Sequence, residues 1–309
     1  MNQSKFSLAD VLTLLAALAF GFVCFLSANF FFLGNTGQSS ILAIIITVLL
    51  GGLALGAKLL KKTSRNFKTC FVWEVIFLVL FAIFAFIFAI SPFSHYFVVS
   101  DQKEDIQNKL TASIMQAENM FAGYERYANN RETVYESKLR SVAAARSINP
   151  SEYAECGFVS DVSIEIQIEN KMFTLHADLY PTNYGEMKQI ATTWLANAKN
   201  AVEHWYPIST VNVVKEVERN SKAWLNELLQ LSTVRERCEQ AIDFSCALSF
   251  DDVKNKFTTL GGLTPLSTGL AVLAYVLMLL SWFVTKRHSK FPGLKMLFGM
   301  GGAIIDNEL

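Results

Sequence analysis

The chain has 309 residues, 52% of them hydrophobic and 17% charged, with 25 Phe. That balance is too apolar for an ordinary soluble domain. The 27 Lys and Arg cancel the 27 Asp and Glu, so no strong net charge points to nucleic acid or another highly charged partner.

The apolar residues are clumped. Residues 11–33, 41–60, 71–93 and 265–284 each reach the length of about 20 residues that crosses a hydrocarbon core. Four transmembrane helices are expected. The first run exceeds a signal-peptide core, and no A-x-A cleavage pattern follows "SANFFFLGN", so it reads as a retained helix. Gly52 and Gly56 on the second, like Ala17 and Gly21 on the first, supply small faces for close helix packing. Glu74 is the single acidic residue inside the four runs, and Lys58 lies at the end of the second. An intramembrane charge is a functional candidate by default, and snorkelling to the nearby interface, or pairing with Lys58 or Lys61 of the neighbouring helix, accounts for it without transport. None of the four runs carries an evident break.

The link between the first two runs, "GNTGQSS", has no charge, whereas the next, "AKLLKKTSRNFK", carries Lys58, Lys61, Lys62, Arg65 and Lys68. Lys286, Arg287 and Lys290 follow the last run. Positive residues in short loops stay on the cytoplasmic side. These eight residues therefore act as an orientation anchor, with both termini cytoplasmic and residues 94–264 outside. Contact with anionic membrane lipids is expected at the same residues. A tight loop at a bilayer does not offer the basic face that nucleic acid needs.

The outer segment carries 17 Lys and Arg against 23 Asp and Glu, a net charge of −6. From 101 to 147 apolar residues recur at helical spacing, including Ile106, Leu110, Ile114, Phe121, Tyr124 and Leu139. One long amphipathic helix is expected, of the coiled-coil or bundle kind. Between 161 and 179 the period changes to two: Val162, Ile164, Ile166 and Ile168, then Phe173, Leu175, Ala177 and Leu179, around Glu169-Asn170-Lys171. That alternation predicts a β-hairpin. Helices are expected at 185–206 and 209–243. Ser249 with Asp252 resembles a capping box that opens a short helix, and Thr264-Pro265 opens the last membrane run.

Cys156, Cys238 and Cys246 lie in the outer segment, where an oxidising compartment allows one disulfide among them. Their spacing does not match a zinc site. His176 and Asp178 would share a strand face, more simply a polar surface than a metal site. No H-E-x-x-H, G-x-S-x-G, Walker A or G-x-G-x-x-G motif occurs, so neither an enzyme nor a cofactor is expected. The tail "KFPGLKMLFGMGGAIIDNEL" (residues 290–309) is apolar for a segment in water and reads as a surface-seeking cytoplasmic tail.

Three clustered spans, a short basic inner loop and a large outer loop before the fourth resemble the layout of tetraspanins. The Cys-Cys-Gly motif of their large loop is absent, since Glu155 precedes Cys156-Gly157. The resemblance is one of topology and transfers no residue role. The outer segment contains no Asn-x-Ser/Thr acceptor, which leans towards a bacterial inner membrane.

The expected protein is thus integral to the membrane and mainly α. Residues 1–93 hold three spans (11–33, 41–60 and 71–93). Residues 94–264 form an extracytoplasmic helical domain with one β-hairpin, 265–284 a fourth span and 285–309 a cytoplasmic tail. Its expected role is that of a non-enzymatic scaffold, adaptor or sensor subunit of a cell-envelope assembly, with protein partners or copies of itself. An oligomeric channel or transporter component is the alternative.

Overall fold

The structure, a computed structural model, describes residues 7–63 and 67–287, and the backbone alone of residue 67. The chain divides into a first unit, residues 1–103 with 255–309, and a second, residues 104–254. In chain order the first unit begins with α1 (Leu8–Phe31), α2 (Thr36–Lys62), α3 (Phe67–Ile83), a π-helical turn (Phe84–Ala89) and α4 (Ile90–Asp101). The second contains α5 (Lys103–Ala144, save its first residue), α6 (Pro150–Glu155), α7 (Ile164–Leu179), α8 (Tyr184–Glu203) and α9 (Pro207–Thr233). Then α10 (Asp251–Thr258) crosses the division, and α11 (Pro265–Met278) and α12 (Leu280–Val284) return to the first unit.

Among the described residues, three helical runs are long and apolar enough to cross a membrane: α1, α2 and Lys68–Asp101. The third passes straight through Ser91-Pro92. Proline removes one backbone donor from a helix, and the π-helical turn Phe84–Ala89 lies immediately before it, where Ile90 N–H reaches back to the Ala85 carbonyl. The Tyr275 hydroxyl donates to that same carbonyl at 2.8 Å, and irregular turns of this kind collect such partners. The expected fourth span is interrupted. After 14 residues α11 ends, and Leu279 separates it from α12.

The helix ends follow local chemistry. Leu33 and Gly34 adopt positive φ after α1, and Gly34 N–H caps the Asn29 carbonyl. Asn35 then caps α2 through Gln38 N–H. Thr264 and Ser267 form a reciprocal capping box with Pro265 in the first turn of α11. Small residues bring the helices close. A Cβ on Gly21 would collide with Thr47, and one on Gly56 with Phe77. A Cβ on Gly52 would meet nothing within 4 Å, so of the expected Gly52/Gly56 face only Gly56 makes a close approach inside the unit. Phe20 stacks on Phe93 at 4.4 Å and leans on Tyr275 at 5.2 Å to centre the core.

In the second unit α5 buries Ile106, Leu110, Ile114, Phe121, Tyr124, Tyr135 and Leu139, the stripe its spacing predicts. The β-hairpin expected at 161–179 is a helix, α7, and no strand occurs among the described residues. Ile164, Ile168, Met172, Leu175 and Leu179 step by three and four and pack on the core, whereas Ile166 and Phe173 are 52% and 73% exposed. Alternation at 164, 166 and 168 hid this, because every second member of a period-two pattern also satisfies i, i+4. The expected turn at 169–171 lies inside the helix. Gln167 fastens its start, since its amide pairs with Val159 N–H and with the Val159 and Val162 carbonyls.

The helix expected to reach 243 ends at Thr233. Ser232 and Thr233 turn their hydroxyls onto the Leu229 and Gln230 carbonyls, each at 2.7 Å, a local competition that weakens a helix end. Val234 is extended. Cys238 has φ +69°, which a right-handed helix cannot hold. Residues 234–250, which form no helix or strand, bury Phe244 against Tyr124, edge to face at 5.4 Å.

Candidate functional site

Asp10 lies at the start of α1, Lys58 and Lys61 at the end of α2, Glu74 near the start of α3, and Ser281 and Trp282 on α12. Alternating helix direction gathers them at one end of the first unit. Asp10 forms a salt bridge with Lys58 and accepts a hydrogen bond from the Ser281 hydroxyl. Its other oxygen accepts from Ser7 N–H and the Ser7 hydroxyl, at 2.9 and 3.0 Å. Glu74 Oε1 accepts from Arg287 at 2.7 Å and from the Trp282 indole at 2.9 Å. Lys61 donates to the Trp282 carbonyl at 2.8 Å, and its ammonium lies 4.3 Å from that indole's centre.

The Glu74 partner expected from sequence is thereby corrected. Lys58 is taken by Asp10, Lys61 by Trp282, and the salt bridge of Glu74 is to Arg287. The Glu74 side chain is 2% exposed, and its Oε2 is buried without a hydrogen-bond partner. The cluster ties α1, α2 and α3 to α12. Charges buried this way make the loss of one partner costly, about 3–5 kcal/mol, because the other is left unpaired. Of the remaining anchor residues, Lys62, Lys68 and Lys286 are exposed, and Arg65 and Lys290 lie outside the described residues, as does the tail 288–309.

Sequence reasoning missed Asp10, Thr13, Ser281 and Trp282. Thr13 is buried, accepting from Ser281 N–H at 3.2 Å and donating to the Leu277 carbonyl at 3.4 Å. The polar residues of α1 were its available signal, although nothing local says what they meet.

The second unit holds a different constellation. Cys156 and Cys238 are joined by a disulfide with a Cα separation of 5.0 Å, and Cys246 is a free thiol packed against the same core. Burial pushes the Cys246 thiol up. Gly157, at φ +74°, lets the chain turn at the end of α6 beside the disulfide. Arg131 and Glu239 form a salt bridge with both side chains 1% exposed, and Arg131 also donates to the Val234 carbonyl. Burial works against the guanidinium charge, and Glu239 overrides it, so the Arg131 pKa lies above its ordinary value. Tyr127 donates to the Ser232 carbonyl and Tyr135 to that of Arg237, each at 3.2 Å. Burial and the nearby Glu236 and Glu239 charges push Tyr135 up to about 12. In this way α5 satisfies backbone groups that the irregular segment cannot pair itself.

His176 and Asp178 are on α7, not on a strand, and His176 Nδ1 lies 2.7 Å from a Glu132 oxygen. No group of three His, Cys, Asp or Glu that could hold a metal ion occurs among the described residues. Comparison with protein-family models, curated proteins and solved structures gives no match.

Proposed function

We propose that the chain is a non-enzymatic integral membrane subunit, a scaffold, adaptor or sensor of a cell-envelope assembly. Its first unit is the membrane anchor, with residues 265–284 as a fourth, interrupted span, and its second unit is the extracytoplasmic contact body. The carrying observation is the contrast between the two units. Ion pairs cross-tie the helix ends of the first, as suits a fixed base. The disulfide and the buried Arg131–Glu239 pair brace the second. Disulfides persist in oxidising compartments, which supports placing residues 94–264 outside the cytoplasm. Short-loop charge supports cytoplasmic termini in a plasma membrane, and the lack of N-glycosylation acceptors favours a bacterial one.

One observation favours the alternative of an oligomeric channel or transporter component: α11 and α12 are interrupted beside buried charges, as in helices that line substrate paths. Purification in mild detergent tests the first reading, which expects protein partners or a stable homo-oligomer. A chain that emerges alone and monomeric defeats it. Glu74→Gln separates the two, since it abolishes transport by the alternative and leaves the scaffold's partners bound.

A further inference from the structure

The second unit has a cleft of about 530 Å³ between α8 and the last turns of α9, with one carboxylate, Glu227, in its lining. That volume falls within the range of roughly 300–1,000 Å³ typical of ligand clefts. Met187 and Leu231, both packed on the core, and Tyr184 make its floor. Asn183, Glu227 and Gln230 make its polar rim. Glu227, Gln230 and Leu231 share one helix face by their spacing of three and four.

Charge selects the occupant. Residues 104–254 hold 15 Lys and Arg against 22 Asp and Glu, a net of −7. Elsewhere in the unit Glu125, Glu136, Glu152, Glu218 and Glu239 are paired with Lys or Arg. The Glu227 carboxylate has no salt bridge and no hydrogen-bond partner among the described residues. An anionic ligand would meet this unneutralised carboxylate, and a purely apolar one would desolvate the rim without replacing its water.

We infer that the cleft binds a basic segment of a partner protein, with an Arg or Lys on Glu227 and an adjacent apolar side chain on the Tyr184–Met187–Leu231 floor. A guanidinium fits best, because it offers a carboxylate two parallel donors. Asn183 and Gln230 are placed to bond the segment's backbone. The inference rests on the second unit being the contact body of a scaffold, and it names the partner's chemistry.

The test uses the full chain purified in detergent and three fluorescent heptapeptides. They share one Leu/Phe framework and carry Arg, Gln or Glu at the central position. The Arg peptide is expected to bind saturably and at least about tenfold more tightly than the other two, and Glu227→Arg to remove that advantage. Glu203→Arg, an equal charge reversal at an exposed α8 position outside the cleft, is expected to leave it. Equal binding of the three peptides, or equal effects of the two substitutions, overturns the cleft. Thermal melting of each variant verifies that it is folded. A chain that ignores the Arg peptide yet purifies with protein partners overturns the cleft and keeps the scaffold. A chain that binds it as expected yet purifies alone supports the cleft and overturns the scaffold.

Discussion

The Thr13 hydroxyl stands between a backbone group of α11 and one of α12, accepting from Ser281 N–H and donating to the Leu277 carbonyl. In an unbroken helix those two groups would bond each other. A side chain inserted into the i→i−4 ladder is a recognised cause of a sharp helix break, and Leu279 marks this one. Asp10, one turn before Thr13 on α1, then holds the Ser281 side chain. One face of α1 both opens the break and secures α12 beyond it.

Thr13→Val keeps the side-chain shape and removes the hydroxyl. The expected outcome is fusion of α11 and α12 into one helix, which draws Trp282 away from Glu74. Spin labels at Leu59 and Phe283, both exposed, report this by pulsed electron resonance as a changed distance. Thr13→Ser retains the hydroxyl and is expected to keep the native distance. An unchanged distance in Thr13→Val shows that Thr13 does not cause the break.

The three long apolar runs and the α5 stripe are legible in the sequence because each repeats one signal over many residues. The hairpin reading failed because Ile164 and Ile168 fit both periods, and only the exposure of Ile166 and Phe173 decides for the helix. The helix expected at 209–243 ran too far because the apolar spacing of Leu228 and Leu231 continues in Cys238 and Ile242. Both pack on the core from a segment whose course depends on Arg131, a residue of α5. The charge cluster was half legible. Glu74 stands out in an apolar run, but Asp10 and Ser281 are 271 residues apart, and spacing carries no information about such a pair.

Arg131 and Glu239 supply a second test. Arg131→Met leaves Glu239 buried without its cation and the Val234 carbonyl without its donor. A loss of about 3–5 kcal/mol is expected. Arg131→Met with Glu239→Leu removes the stranded charge and should recover much of that loss. Hydrogen exchange across residues 104–254 measures both variants. Equal losses in the single and double variants contradict the account.

The disulfide closes a sequence separation of 82 residues. Constraint of the unfolded chain by a loop of that size is worth about 4.5 kcal/mol in the loop-entropy model. Cys156→Ser and Cys238→Ser are each expected to destabilise the second unit on that scale. Mass mapping of peptides from unreduced membranes should recover residues 156 and 238 cross-linked and 246 as a free thiol. A linkage through Cys246 instead refutes the pairing.

Glu218 gives a pH test. Burial acts to raise its carboxyl, but hydrogen bonds from Lys222 and Lys254 outweigh it and hold the pKa below the ordinary 4.5. A carboxyl with a depressed native pKa adds stability that is complete above its unfolded value and is lost as pH falls through the native one. Melting temperature is therefore expected to fall below pH 4.5, with part of the slope due to Glu218. Glu218→Gln should lower stability near neutral pH and flatten the acid slope. A variant with the wild-type slope rules out this residue as a contributor.

Orientation is decided by comparing two exposed positions, one in each unit. Thr63 closes α2 within the basic link, and Phe173 is on the outer face of α7. With both termini cytoplasmic, a thiol reagent that cannot cross membranes should label Phe173→Cys in intact cells. It should label Thr63→Cys only after lysis. The same reagent without either substitution sets the background from Cys24, Cys70 and Cys246. Labelling of Thr63→Cys in intact cells would invert the topology. The disulfide would then face a reducing cytosol that does not sustain it, and the basic link would stand on the side short positive loops avoid. Charge and redox chemistry are independent reasons for one orientation, so this single measurement bears on both.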